Sequence, residues 1–267
     1  SIIYILRGRD NSGNLFTYKD GTWSSPIPTE NTLDSVSCVS QSFCKAVGYN
    51  GNGGNVYTFN GAAWSSPESL DSGYKLHSIS CPTTTFCEVG TAVNVFTVDG
   101  ASESGPDAID QSNNQTNESG YGLPSISCPS ASFCATIDGS GNVFILNGST
   151  WSAPDSIDSN VQLDSVSCPS ASFCVAVDSE GNAFTYNGSA WSTAESIDSN
   201  TALESISCPS TGFCVTVDTN GNTLTYNDRS WSSPQSIDSD HHLTAISCAS
   251  SSFCAAVDDA GNVLTMR

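Results

Sequence analysis

The chain has 267 residues, with 27 acidic against 7 basic side chains and a formal net charge of −20. That balance repels a phosphate backbone and argues against nucleic acid as a partner. No apolar run approaches the ~20 residues a membrane-crossing helix needs, so no membrane insertion is expected. Any signal peptide is expected to have been removed, because SIIYIL at Ser1 carries neither a basic leader nor a small-residue cleavage site.

In chain order, the first segment, IIYILRGRDNSGNLFTYKDGTWSSP, reads as strands two to four of a β unit that lacks its first strand. Six cysteine pairs follow: Cys38/Cys44, Cys81/Cys87, Cys128/Cys134, Cys168/Cys174, Cys208/Cys214 and Cys248/Cys254. Their first members lie 43, 47, 40, 40 and 40 residues apart. Zinc sites need histidines or a second close pair, and the three histidines do not recur with the cysteines. A disulfide within each repeat is therefore expected, which implies an oxidising compartment and a secreted protein.

A period near forty built of short β-type runs predicts a propeller. In each unit SISC or SVSC, as at Ser205 to Cys208, is the first strand, and FCVAVD, Phe173 to Asp178, is the second. The DxxGN segment Asp178 to Asn182 is a tight turn, with glycine free to take positive φ and aspartate bonding amides ahead. AFTYN is the third strand, and Asn187-Gly188 is a hairpin signal. The fourth begins at tryptophan, and Pro154 or Pro234 within it suits an outer edge. Third strands recur at Asn14, Asn55, Asn94, Asn142, Asn182, Asn222 and Asn262. This count favours seven blades, with six as the alternative, in a single domain over residues 1–267. Residues 101–122 are polar, lack the tryptophan and read as a loop insertion. The chain ends at Arg267 after a third strand.

Near-identical repeats multiply one environment, whereas catalysis needs an asymmetric one. Catalytic candidates are thus the unrepeated Arg7, Arg9, Lys45, Lys75, His77, Glu88, Glu103, Arg229, His241 and His242. The His241-His242 pair is either solvated linker or a metal or acid–base group. Asp138, Asp178, Asp218 and Asp258 recur at the turn, where capping is the expected role. Asp110, Asp158, Asp198 and Asp238, in the SID motif, recur where the chain crosses to the next blade. They either bond the crossing loop or gather a cation on one rim. No metal or other cofactor is expected. Trp23, Trp64, Trp151, Trp191 and Trp231 recur with Tyr186 and Tyr226 nearby, and either pack between blades or offer flat faces to sugar rings.

The string AVDSEGNAFTYNGSAWS resembles the hairpin repeat of fucose-type propeller lectins, in which a strand, a DxxGN turn, a strand, an NG turn and a tryptophan recur. That resemblance implies sugar held between adjacent blades by an arginine, a glutamate and an aromatic. The SCPSxxFC element resembles repeats in secreted proteins of actinobacteria. The expected function is non-catalytic binding of a glycan or glycosylated surface at repeated inter-blade sites, with Trp151, Trp191, Trp231, Tyr186 and Tyr226 as the ligand-binding residues. The alternatives are a polysaccharide lyase or glycoside hydrolase, built from residues such as His77, His241 and Arg229 near the insertion, or a protein-binding or structural propeller.

Overall fold

The computed structural model describes residues 2–6, 13–19, 22–29, 31–71, 73–100, 102–110 and 122–266. Arg7, Arg9 and the sequons at Asn114 and Asn117 lie outside them. Among the described residues every regular element is a strand, and no helix is long and apolar enough to cross a membrane. The fold is an all-β propeller. A leading sheet holds Ile2–Leu6, Asn14–Lys19, Thr22–Trp23 and Ile27–Pro28. Blade 1 is Thr32–Ser40, Phe43–Tyr49, Gly54–Phe59 and Glu68–Asp71. Blade 2 is Ser78–Ser80, Phe86–Gly90, Asn94–Asp99 and Ser102–Ala108. Blade 3 is Ile126–Ser130, Phe133–Ile137, Asn142–Asn147, Thr150–Trp151 and Asp155–Ser156. Blade 4 is Leu163–Ser170, Phe173–Asp178, Asn182–Tyr186 and Glu195–Ser196. Blade 5 is Leu203–Ser210, Phe213–Asp218, Asn222–Asn227, Ser230–Trp231 and Gln235–Ser236. Blade 6 is Leu243–Ser250, Phe253–Asp258 and Val263–Met266.

The preference for seven blades is not supported, and six fit. A blade is defined by its cystine hairpin and the first strand leading into it, and the sheet ahead of Thr32 has neither. The chain comprises two compact units, Ser1–Ala131 and Ser132–Arg267.

Within each unit, alternation along the second strand explains the packing. In blade 4, Cys174 and Ala176 join a core with Phe133, Ala135 and Ile137 of blade 3. Their neighbours Val175 and Val177 join Leu203, Ile206 and Leu224 of blade 5. Successive side chains of a strand point to opposite faces, so a strand buried on both faces is continuously apolar, as FCVAV is. In the first unit Val47 and Val56 of blade 1 pack with Ile79, Val89 and Phe96 of blade 2 in the same way.

Three motifs acquire physical roles. The DxxGN aspartate caps its turn. Asp178 Oδ1 accepts the Glu180 and Asn182 N–H groups at 2.9 and 2.7 Å, and Oδ2 accepts from Asn182 Nδ2 at 2.7 Å. Asp138, Asp218 and Asp258 repeat this bonding, which bears out the capping role. At Gly181, φ is 89°, and a Cβ would overlap the Asp198 carbonyl oxygen, so the linker presses directly onto the turn. The serine after each tryptophan breaks the fourth strand. Ser192 donates its N–H to Thr185 O at 2.8 Å, while its Oγ accepts the Thr185 N–H at 3.0 Å. One serine thereby completes a ladder position alone, and the fourth strand is two short pieces rather than one.

The third motif is the first-strand pattern LxSxSC. Ser35 and Ser37 Oγ accept the Ile79 and Cys81 N–H groups of the next blade at 3.2 and 2.9 Å. Ser165 and Ser167 accept from Ile206 and Cys208 at 3.2 and 3.0 Å, and Ser205 and Ser207 from Ile246 and Cys248 at 3.2 and 2.9 Å. These serines satisfy the inner-edge amides of the neighbouring first strand, which no β-ladder reaches. Blade 6 reads LTAISC, with Ala245 at the first serine position.

The expectation of a loop over 101–122 is corrected in part. Ser102–Ala108 is a strand paired with Asn94–Asp99, and it includes a cis Gly105-Pro106 bond. All seven of its residues are exposed, so backbone pairing holds it and no apolar alternation signalled it. Residues 111–121 lie outside the described residues.

Candidate functional site

The expected cystines form. Cys38–Cys44, Cys81–Cys87, Cys168–Cys174, Cys208–Cys214 and Cys248–Cys254 are disulfides. Cys128 and Cys134 are disulfide-bonded too, and no cysteine is free. They clamp the hairpin between first and second strands and suggest an oxidising environment. The second cysteine of each pair sits on the second strand and is sealed from solvent. Cys44, Cys134, Cys174 and Cys214 are 0% exposed, Cys87 is 1% and Cys254 is 3%. Cys44 packs with Phe59 and Trp64, Cys87 with Val89 and Val98, and Cys254 with Val215 and Ile246. A sulfur oxidised and enclosed in this way is neither a nucleophile nor a metal ligand. A row of side chains runs from each cystine across the blade: Cys174 faces Tyr186, which faces Trp191, and Cys214 faces Tyr226, which faces Trp231.

The tryptophans in these rows are packed. Trp191 stacks on Tyr186 with ring centres 5.4 Å apart, and Tyr186 meets Phe133 of the preceding blade at 6.1 Å. Trp231, Tyr226 and Phe173 repeat this at 5.4 and 6.1 Å. Both indoles are half-buried against the inter-blade cores, and their Nε1 atoms are buried without a hydrogen-bond partner. Trp64 stacks on Phe59 in blade 1. Trp151 is half-buried too, but its ladder partner is Leu146. The arginine and glutamate implied by the lectin resemblance have no counterparts in blade 4, where Val175 and Ala183 are buried between blades.

The unrepeated residues are dispersed. Lys45 Nζ donates to Thr58 Oγ1 at 3.1 Å, and Lys75 pairs with Asp34 at 3.1 Å. His77 lies against Gly122. Glu103 is exposed, and it stands opposite Val98 where other blades carry tryptophan. Arg229 is exposed in the turn after Asn227. His241 lies at the opposite strand end, by the DxxGN turn of blade 6, and strand Asn222–Asn227 alone spans about 17 Å. The structure therefore does not bring Arg229 and His241 together.

What does converge is a set of carboxyl groups where linker meets turn. The Ile197 and Asp198 N–H groups donate to Gly181 O of their own blade at 2.9 and 3.0 Å. The Asp198 side chain reaches forward to Asp218, the turn cap of blade 5. Asp158 reaches Asp178 of blade 4 in the same way. Asp158 Oδ2 and Asp198 Oδ2 are buried without a donor. Two ionised carboxylates offer each other only lone pairs, so such a contact requires a shared proton or a cation. Burial first, and then the facing carboxylate, push Asp158 and Asp198 up to about 6. In blade 6 the pair is Asp238 and Asp258, and His241 joins it. This trio is the set of groups among the described residues placed to hold a metal ion.

Two more raised acids lie on first strands near this rim. Burial pushes Asp164 up to about 7 against a bond from Gln162, and it raises Glu204, which His242 opposes. In blade 2, Glu88 is 1% exposed, and burial lifts it to about 7. Its Oε1 accepts from Thr97 Oγ1 at 3.0 Å, and its Oε2 has no donor. The carboxyl pairing escaped sequence reasoning. Its signal was the joint recurrence of SID and DxxGN with a spacing of 20 residues, as from Asp158 to Asp178 and from Asp198 to Asp218.

No protein-family model matches the chain, and no curated protein matches it. Among solved structures the chain is similar to "YCF48 bound to D1 peptide", with 15% identity over 99% of this chain and 93% of that one and a TM-score of 0.70. It is also similar to YCF48 from Cyanidioschyzon merolae, with 14% identity over 99% and 94% and a TM-score of 0.71. These neighbours are not lectins, and at such identity the likeness shows one thing: the fold is a β-propeller.

Proposed function

We propose that this protein is a secreted, non-catalytic recognition propeller that takes an extended basic peptide segment on the rim built by DxxGN turns and SID linkers. One observation carries the reading. Carboxyl groups recur along that rim in sister blades, and Arg229 is the one lysine or arginine among residues 132–266, at the far strand end. Such a surface attracts cationic segments and steers them by charge. The peptide bound to the structurally similar YCF48 agrees with a peptide-binding use of this scaffold. Glycan binding has weaker footing, because Trp191 and Trp231 spend their faces on Tyr186 and Tyr226. Trp151, without a tyrosine partner in its row, is where a sugar would stack.

The test is calorimetric titration of the purified protein with lysine- and arginine-rich peptides and with charge-reversed controls, beside a glycan array. Saturable, salt-sensitive binding of basic peptides that weakens on Asp164→Asn or Glu204→Gln supports the proposal. Glycan binding lost on Trp151→Ala, with no peptide binding, overturns it.

A further inference from the structure

Blade 6 departs from its sisters at one point of chemical weight. Three residues after the SID aspartate, the linkers into blades 4 and 5 carry Val161 and Thr201, and the linker into blade 6 carries His241. Its Nδ1 is 3.4 Å from Asp238 Oδ1 and 3.9 Å from Asp258 Oδ2, and the three ligand atoms all lie within 4.8 Å of one another. Ligands held at about 2.0–2.1 Å around a tetrahedral zinc ion stand roughly 3.3 Å apart, so a small inward movement closes this set on an ion.

We propose that Asp238, His241 and Asp258 form a binding site for a divalent transition ion of the zinc class, with water in the fourth position. Three features support it. Imidazole with two carboxylates suits zinc, whereas calcium and magnesium prefer all-oxygen shells. The Asp258 side chain is fully buried, and it is held by Asn262 Nδ2 at 2.7 Å and by the Ala260 and Asn262 N–H groups at 2.9 and 2.7 Å. Such outer bonds orient a ligand in advance. The His241 side chain is 38% exposed, which leaves a path for the ion and its water. The ion also removes the confrontation of two acceptors that a proton relieves in blades 4 and 5. It would staple the linker to the last blade, a role separate from peptide recognition.

The experiment is calorimetric titration of the full chain with Zn²⁺ alone at pH 7, with Ca²⁺ in a parallel arm. One saturable Zn²⁺ equivalent is expected. His241→Thr, which installs the residue blade 5 uses, lowers Zn²⁺ affinity by more than about 100-fold and leaves the chelator-treated melting temperature unchanged. Thr201→His, beside Asp198 and Asp218, adds a second equivalent. The proposal is overturned by absent or unsaturable Zn²⁺ binding, by equal Ca²⁺ binding, or by wild-type affinity in His241→Thr. Loss on His242→Ala in its place, or no second equivalent in Thr201→His, overturns it as well.

Discussion

Replacing Ser167 by alanine tests the serine bridge between first strands directly. Its Oγ is the acceptor for the Cys208 N–H at 3.0 Å, and Cys208 is 7% exposed. Alanine deletes the acceptor and leaves the amide buried with no ladder partner on that edge. An unsatisfied buried donor costs about 1–3 kcal/mol. For a chain of this size each kcal/mol lowers the melting temperature by about 2–4 °C, so a fall of roughly 4–8 °C is expected for a cost near 2 kcal/mol. Ser247→Ala is the control. Ser247 holds the same repeat position in blade 6, but it is exposed and accepts no such bond among the described residues. Its removal should change stability by less than about 0.5 kcal/mol. Differential scanning calorimetry of the oxidised proteins at one pH compares the two. Equal melting temperatures for Ser167→Ala and Ser247→Ala would refute the reasoning.

The carboxyl pairs predict a pH signature. Asp198 holds its proton in the fold up to about 6, against 3.8 ordinarily, so its contribution to stability falls as pH rises from about 4 to about 6. Asp198→Asn should match wild type near pH 4 and melt higher at pH 7, as thermal melts across that range will show. Glu88, lifted from 4.5 to about 7, gives the same sign over a higher window, and Glu88→Gln should remove a loss of about 3 kcal/mol above pH 7, read by urea denaturation. Trp191→Ala should cost about 3–5 kcal/mol, with Trp191→Phe in between, because the indole fills the space beside Tyr186; unchanged stability would return the residue to ligand binding. Removing the Cys208–Cys214 bridge by double alanine substitution should cost about 2 kcal/mol through the short loop it closes, measured against the unreduced parent.

The parts of this fold that were legible in the sequence are those whose cause is local. The Asp178 cap, Gly181 and Asn182 lie within five residues, so the turn could be read from its own string. Cystine pairing followed from a separation of 6 residues between partners. The depth of Cys44, Cys87, Cys134 and Cys254 did not follow from that spacing, because it is set by the strand face they occupy and the side chains packed over it. The serine bridges were not legible, because Ser165 meets Ile206 across a separation of 41 residues and the chain is rich in serine. The blade count failed for a related reason: third strands were counted, although the leading sheet lacks the cystine hairpin that defines the repeat. The tryptophans were visible, but a face of Trp191 and of Trp231 is covered by Tyr186 and Tyr226, whose rings in turn lie against Phe133 and Phe173 of the preceding blade. At Asp158 and Asp198 the expected bond to the crossing loop hid a second role, since the backbone holds the blade behind while the side chain meets the carboxyl group of the blade ahead.

The Cys208 N–H bonded to Ser167 Oγ and the Cys248 N–H bonded to Ser207 Oγ make blade 5 a two-ended plug, with hydroxyls along one margin and amides along the other. A duplicated stretch of forty residues would bring both halves with it and fit between existing neighbours without new chemistry. Ala245 of blade 6 departs from the scheme at one position, since it carries no hydroxyl where Ser165 and Ser205 accept an amide. Changing it to serine is the smallest edit that would restore the missing acceptor.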